Sequence, residues 1–256
     1  MDKKVVIDQS KCIGCGLCAK DCVGFDIKIV DKKAVAKGQS CIYCGHCEAI
    51  CPQNAIKVEG FSDESVEFEE QTRLDPKTLM EAIKTRRTIR NYTSEPVSKE
   101  VLDLIIEAGR LAPTGANSQG TSYIILDKKK AECEAIAVKM FSRLINIGKK
   151  IIPAIKDMNI DEHFFFKNAP LVIIVLGKDK VSASLAAQNM AFMAEANGLG
   201  VLFSGFFTTC YNMNSKIRKV LNMKKKPQAV TTLVIGHPAV KYHRTIKRNP
   251  AKVIEA

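Results

Sequence analysis

"CIGCGLCAKDC" (residues 12–22) and "CIYCGHCEAICP" (residues 41–52) carry eight of the ten cysteines in this 256-residue chain. Both runs read Cys-x2-Cys-x2-Cys-x3-Cys, so the N-terminal fifth holds an internal duplication. Between them, "IKIV", "DKK" and "AVAKG" predict two short strands around a turn. The two remaining cysteines, Cys133 and Cys210, lie in helical or apolar surroundings and are expected to be core residues.

Four ligands this close suit a cluster of several irons better than one ion. A tetrahedral zinc site uses Cys-x-x-Cys knuckles and would leave the third cysteine of each run over. Three cysteines spaced by two residues can wrap one face of a cubane, while the fourth, out of phase, points elsewhere. Gly14, Gly16 and Gly45 fit a backbone that passes close to cluster sulfurs. Over about residues 5–60 the chain resembles the bacterial 2×4Fe–4S ferredoxins. That resemblance implies one cluster on Cys12, Cys15, Cys18 and Cys51 and another on Cys41, Cys44, Cys47 and Cys22. Pro52 follows Cys51 as in the family pattern, whereas Val23 follows Cys22.

Composition bounds the rest. The start, "MDKKVVIDQSKC", lacks an apolar signal region, and runs such as "APLVIIVLG" (169–177) are too short to span a bilayer. The expectation is a cytoplasmic protein without a membrane partner, where clustered cysteines bind metal or do redox chemistry. Net charge is +12, yet the "KKK" runs at 128–130 and 224–226 have no interleaved aromatics, so nucleic acid is not an expected partner. Residues 1–60 form the expected ferredoxin-like domain. Residues 61–74, with Asp63, Glu64, Glu67, Glu69 and Glu70 against Arg73, read as an acidic linker, and 75–256 as a second domain.

That domain mixes helices and strands. Asp75 and Pro76 open a helix whose Leu79, Met80 and Ile83 make an apolar stripe, and Ser98 caps a second helix over 98–112. "TSYIILD" predicts a strand, 128–150 a helix, and "LVIIVLG" (171–177) a strand buried on both faces. A Met- and Ala-rich helix over 182–200, its Met and Phe side chains in the core, and a strand at 231–238 complete the pattern. Without regular βαβ alternation the fold class is α+β.

Two stretches carry the chemistry. "TRRTIRNY" (85–92) puts Arg86, Arg87 and Arg90 around Thr88 at a helix end, suited to a phosphate or a heterocycle edge. "APTGANSQ" (112–119) is a small, turn-prone loop that can approach a flat ligand. In this order, with "GLGVLFSGFF" (198–207) and "IGHPAVKYHRTIKR" (235–248), they resemble the FMN-dependent nitroreductases over roughly residues 75–250. The resemblance implies a three-layer α/β/α domain with a mixed, largely antiparallel sheet, and a homodimer with FMN at its interface. It gives Arg86, Arg87, Thr88 and Arg90 to the ribityl chain, pyrimidine edge and phosphate of FMN. It gives Pro113, Thr114, Gly115 and Asn117 to the partner subunit's flavin, and Ser204 and Gly205 to the flavin N5. Arg244 and Arg248 would complete the phosphate clamp, and His237 stands where the family has Tyr.

No Gly-x-Gly-x-x-Gly follows a strand, so no Rossmann site is expected; the family uses NAD(P)H without one. The resulting expectation is an iron–sulfur flavoprotein oxidoreductase that passes electrons between two 4Fe–4S clusters and FMN. Its donor is reduced ferredoxin or NAD(P)H, and its acceptor a nitroaromatic, quinone or related conjugated molecule. No catalytic side chain is expected, because hydride and proton transfer occur at the flavin itself. The alternatives are an NAD(P)H-dependent flavin reductase that sends electrons out through the clusters, or a redox-sensing module without small-molecule turnover.

Overall fold

The structure, a computed structural model, describes residues 2–68, 73–149, 151–224 and 227–255. Its contacts divide the chain into two units, Met1–Arg73 with Gly115–Ser118, and Leu74–Thr114 with Gln119–Ala256.

The first unit runs β1 (Lys4–Ile7), α1 (Leu17–Asp21), β2 (Ile27–Val30), β3 (Lys33–Ala36), α2 (His46–Ala49) and β4 (Ile56–Glu59). β1 pairs antiparallel with β4 and β2 with β3. The β2–β3 turn has positive φ at both Asp31 and Lys32, the left-handed pair a tight hairpin turn needs. Each cysteine run feeds one short helix through a glycine: Gly16 and Gly45 both stand at φ 79°, where a Cβ is disfavoured. A small core of Cys12, Cys18, Ile27, Ala34, Ala55 and Ile56 joins the two halves. Residues 61–68 have no regular structure but lie along this unit. The Ser65 hydroxyl donates to Glu48 Oε1 at 2.5 Å, and Asn54 donates to the Glu67 carboxylate. Residues 69–72 of the expected linker lie outside the described residues.

The second unit contains α3 (Pro76–Thr85), α4 (Lys99–Arg110), β5 (Ser122–Leu126), α5 (Lys130–Gly148), β6 (Leu171–Leu176), α6 (Lys180–Ala196), β7 (Gly200–Phe203), α7 (Gly205–Met213), α8 (Ser215–Val220) and β8 (Ala229–Gly236). The sheet order is β5-β6-β8-β7 with every pairing antiparallel. Among the described residues of this unit, a parallel element enters only as the isolated bridge between Thr88 and Val201. All six residues of β6 are buried, and they alternate between two cores. Val172, Ile174 and Leu176 join Cys133, Phe207 and Cys210 from α5 and α7, whereas Leu171, Ile173 and Val175 join Ile105 and Met190 from α4 and α6. That alternation makes three layers, and each such side chain contributes about 1.5–3 kcal/mol on burial.

The caps follow the chemistry of the sequence. Asp75 accepts from Thr78 N at 2.8 Å, and Ser98 accepts from Val101 N. α6 begins two residues earlier than its apolar pattern suggests, because Asp179 caps it through Val181 N and Ser182 N. The α3 stripe behaves differently from expectation. Leu79, Met80 and Ile83 are all exposed, and the helix has no buried residue in the single chain.

Candidate functional site

In the first unit the eight cysteines separate four and four. Cys12, Cys15, Cys18 and Cys51 line one hollow, with Gly14, Ile29, Ala34 and Ala55 on its walls. Cys22, Cys41, Cys44 and Cys47 line a second, with Ile27, Ile42 and Tyr43. The fourth cysteine of each run thus faces the hollow of the other run. No three His, Cys, Asp or Glu side chains among the described residues converge tightly enough to hold a single ion. A hollow lined by four thiols offers the donor set that a 4Fe–4S cluster takes.

Backbone amides aim at the sulfurs. Ala34 N donates to Cys12 Sγ, Asp26 N to Cys22 Sγ and Ala55 N to Cys51 Sγ, each at 3.3 Å, and Tyr43 N to Cys41 Sγ at 3.4 Å. At Cys12 the Ala34 and Gly14 amides lower the thiol pKa. Burial works the other way at Cys18, Cys41 and Cys47, and pushes Cys47 up to about 11. A bare thiol at Cys47 stays protonated at neutral pH, and a metal bound there would have to displace that proton.

In the second unit the arginine stretch runs along the sheet end. Ile89 N donates to Val201 O at 3.1 Å, Thr93 N to His237 O at 2.9 Å, and Tyr92 bridges to Pro238. The Tyr92 hydroxyl shares its one proton between Ile89 O at 2.8 Å and Val234 O at 3.0 Å, so the aromatic of this motif is an anchor. Gly200 is required by that packing, since a Cβ would collide with the Ile89 side chain. Arg86 ends α3 half-buried, and its Nη1 is buried without a hydrogen-bond partner. The nearest carboxylate is Glu195 Oε1, at 3.8 Å. Burial outweighs the attraction of Arg86 and pushes the Glu195 carboxyl up to about 7. Nothing in the apolar pattern of α6 singled out Glu195. Arg87 places Nη1 on Lys84 O at 3.1 Å and Nη2 on Arg244 O at 3.0 Å, and its Nε is buried without a hydrogen-bond partner. Thr88 is half-buried and Arg90 exposed.

Ser204 is buried by β8: its amide donates to Thr232 O at 2.8 Å and its hydroxyl to Phe165 O at 3.2 Å. Gly205 opens α7 and is exposed, and a Cβ there would meet nothing within 4 Å. Packing within the chain therefore does not demand glycine at this position. Thr114 Oγ1 accepts from Gln119 N at 3.0 Å, while Pro113 and Gly115 are exposed. Asn117, expected at a flavin, belongs with Gly115 to the first unit and donates to the Ile42 and Tyr43 carbonyls. Arg244 and Arg248 lie on an exposed tail without regular structure. The His163 Nδ1 lies 3.9 Å from buried Glu134, which accepts from the Phe165 and Phe166 amides.

Comparison with known proteins decides the family. A nitroreductase-family model matches residues 83–237, well over half of the chain. The chain belongs to the nitroreductase family. A 4Fe-4S dicluster domain model matches residues 4–52, so this nitroreductase is an oxidoreductase with an iron–sulfur domain attached. Iodotyrosine deiodinase 1 of Rattus norvegicus is 26% identical over 209 residues, covering 70% of this chain and 71% of that protein. A putative NADH dehydrogenase/NAD(P)H nitroreductase of Methanothermobacter thermautotrophicus is 22% identical over 173 residues, covering 63% and 78%. Among solved structures, a nitroreductase with bound FMN from Desulfitobacterium hafniense superposes with a TM-score of 0.56 at 20% identity, over 69% of this chain and 97% of its own length. The nitroreductase also carries no described helix long and apolar enough to cross a membrane.

Proposed function

We propose that this nitroreductase is an iron–sulfur flavoprotein that passes electrons between two 4Fe–4S clusters and FMN and reduces nitroaromatic, quinone or related conjugated acceptors. The observation that carries the reading is the sorting of eight cysteines into two hollows of four, in the same chain as a nitroreductase domain. Bound clusters would supply single electrons, and bound FMN would join one-electron to two-electron chemistry. The cysteines would hold iron as thiolates, with the amides of Ala34, Asp26, Tyr43 and Ala55 offsetting their charge.

Several features of the second unit fit FMN. Arg86 Nη1 is buried without a hydrogen bond, with Glu195 Oε1 3.8 Å away, and a polar ligand edge would satisfy it. Open space over Gly205 at the start of α7 leaves room for a flat ring beside a backbone amide. Arg87, Thr88, Arg90, Pro113, Thr114, Gly115, Ser204, Arg244 and Arg248 are assigned the family roles, and Arg87 also braces the Arg244 backbone. A homodimer is supported by the exposed apolar face of α3, which a second copy would cover. No side chain of this set is assigned a proton-transfer role. Electrons enter from reduced ferredoxin or NAD(P)H.

Anaerobically purified protein is expected to contain about eight irons, about eight sulfides and one FMN per chain. Visible absorbance should bleach with the donor and return with a nitro or quinone acceptor. Stoichiometric zinc instead of iron, or absence of flavin after reconstitution, would sink the proposal.

A further inference from the structure

The two cysteine runs superpose in sequence at an offset of 29 residues, which sets Gly14 opposite Tyr43. Both positions need the left-handed backbone, with φ 68° at Gly14 and 52° at Tyr43. Glycine adopts it freely; a bulky residue such as tyrosine does so against a steric cost of about 1–2 kcal/mol. In the second run an outside group braces the loop. Asn117 Nδ2 donates to Tyr43 O at 2.8 Å and to Ile42 O at 3.3 Å. Asn117 is itself left-handed, at φ 51°, as is its neighbour Ala116 at 49°. The Ile42 carbonyl and the Tyr43 amide belong to one planar peptide unit, and that amide donates to Cys41 Sγ. Fixing one end of the plane fixes the aim of the other.

We infer that Asn117 is a positioning residue for the cluster held by Cys22, Cys41, Cys44 and Cys47, setting its reduction potential through the Ile42–Tyr43 peptide. The inference rests on the two-cluster reading above. A reduced cluster carries one more negative charge on its iron and sulfur atoms, so an N–H aimed at a ligand sulfur stabilises the reduced form more than the oxidised one. Loss of the brace lets the peptide turn, weakens the N–H···S bond and makes that cluster harder to reduce. The first run has its own amides on Cys12, from Ala34 and Gly14, whereas the Ile42 and Tyr43 carbonyls that Asn117 reaches both belong to the second run. The effect is therefore confined to one cluster. It also gives the Asn117 side chain a task that the family resemblance does not.

The test is an anaerobic dithionite titration followed by electron paramagnetic resonance, on the holoenzyme and on Asn117→Ala and Asn117→Ser. Asn117→Ala should shift one cluster's one-electron reduction equilibrium about three- to tenfold towards the oxidised form, some 30–60 mV at 59 mV per tenfold. The other cluster stays put and iron content is retained. Asn117→Ser, which keeps one donor, should shift less. Unmoved potentials with lowered FMN content would overturn the assignment in favour of a flavin contact, and equal shifts in both clusters would overturn it in favour of general loosening. Iron and sulfide are measured on the unmutated protein in the same series. A single cluster there breaks the two-cluster reading; two clusters with unmoved potentials break only the role of Asn117.

Discussion

The two halves of the cysteine unit repeat some details and abandon others. Gly16 and Gly45 share φ 79°, and Cys22 and Cys51 accept the amides of Asp26 and Ala55 at the same 3.3 Å. Phe25 and Asn54 share the left-handed turn that delivers those amides, at φ 51° and 46°. Other matched positions carry different chemistry. Gly14 faces Tyr43, and the buried carboxylate of Asp26 faces the methyl of Ala55. The repeated details all serve a sulfur; the differing ones occur where each half meets its own surroundings. Gly14 lies against the β2–β3 turn, Asp26 gathers the 38–40 loop, and Tyr43 meets Asn117. Duplication thus preserved the cluster cradle and let the supports diverge.

The largest test of that division is Gly14→Ala. A Cβ there would run into the Lys32 carbonyl, a backbone atom that cannot swing aside, in addition to the left-handed strain. The expected loss is about 3–5 kcal/mol, read as the anaerobic guanidinium midpoint of the cluster-absorbance transition. A change below about 1 kcal/mol would mean that the hairpin turn yields and that Gly14 is not a support. Asp26→Ala comes next. Asp26 accepts from the Gly38, Gln39 and Ser40 amides at 2.9–3.0 Å and takes no part in lining the first hollow. Its removal orphans three donors, at a cost of about 2–3 kcal/mol if water reaches the loop. Iron loss should begin at the second hollow, whose wall includes Asp26. Equal release from both hollows would show that the loop serves the whole unit.

The same division explains what the sequence made legible. Cysteine spacing announced the cradle because iron fixes its ligands to a few positions, so eight residues and two turns carry most of the information. β6 was equally plain, since six consecutive apolar residues in a sheet covered on both faces leave few other readings. Supports are harder. Asp26 is one acid among many until the fold brings three amides to it. Glu195 is hidden in a helix whose apolar positions gave no reason to look at a carboxylate, and its partner Arg86 is 109 positions away. The stripe of α3 was legible as a pattern, yet none of its residues is buried in one chain, because an apolar stripe marks a face without saying what covers it. Asn117 was read from its motif as a ligand contact, and only the fold shows its amide on the Ile42 and Tyr43 carbonyls.

The smallest effect is the sharpest comparison. Tyr43→Gly places in the second run the residue that the first run already has. Glycine relieves the φ 52° strain, worth about 1 kcal/mol, and gives back about 0.5–1 kcal/mol through the freedom of the unfolded chain. The two terms nearly cancel, so stability should stay within about 0.5 kcal/mol of the parent, against at least sixfold that for Gly14→Ala. The amide at position 43 remains, as does its bond to Cys41, so iron content should not change. A loss above about 2 kcal/mol would mean that the tyrosine ring, rather than the backbone brace, holds the loop; the two halves would then differ in what supports them as well as in which residues do so.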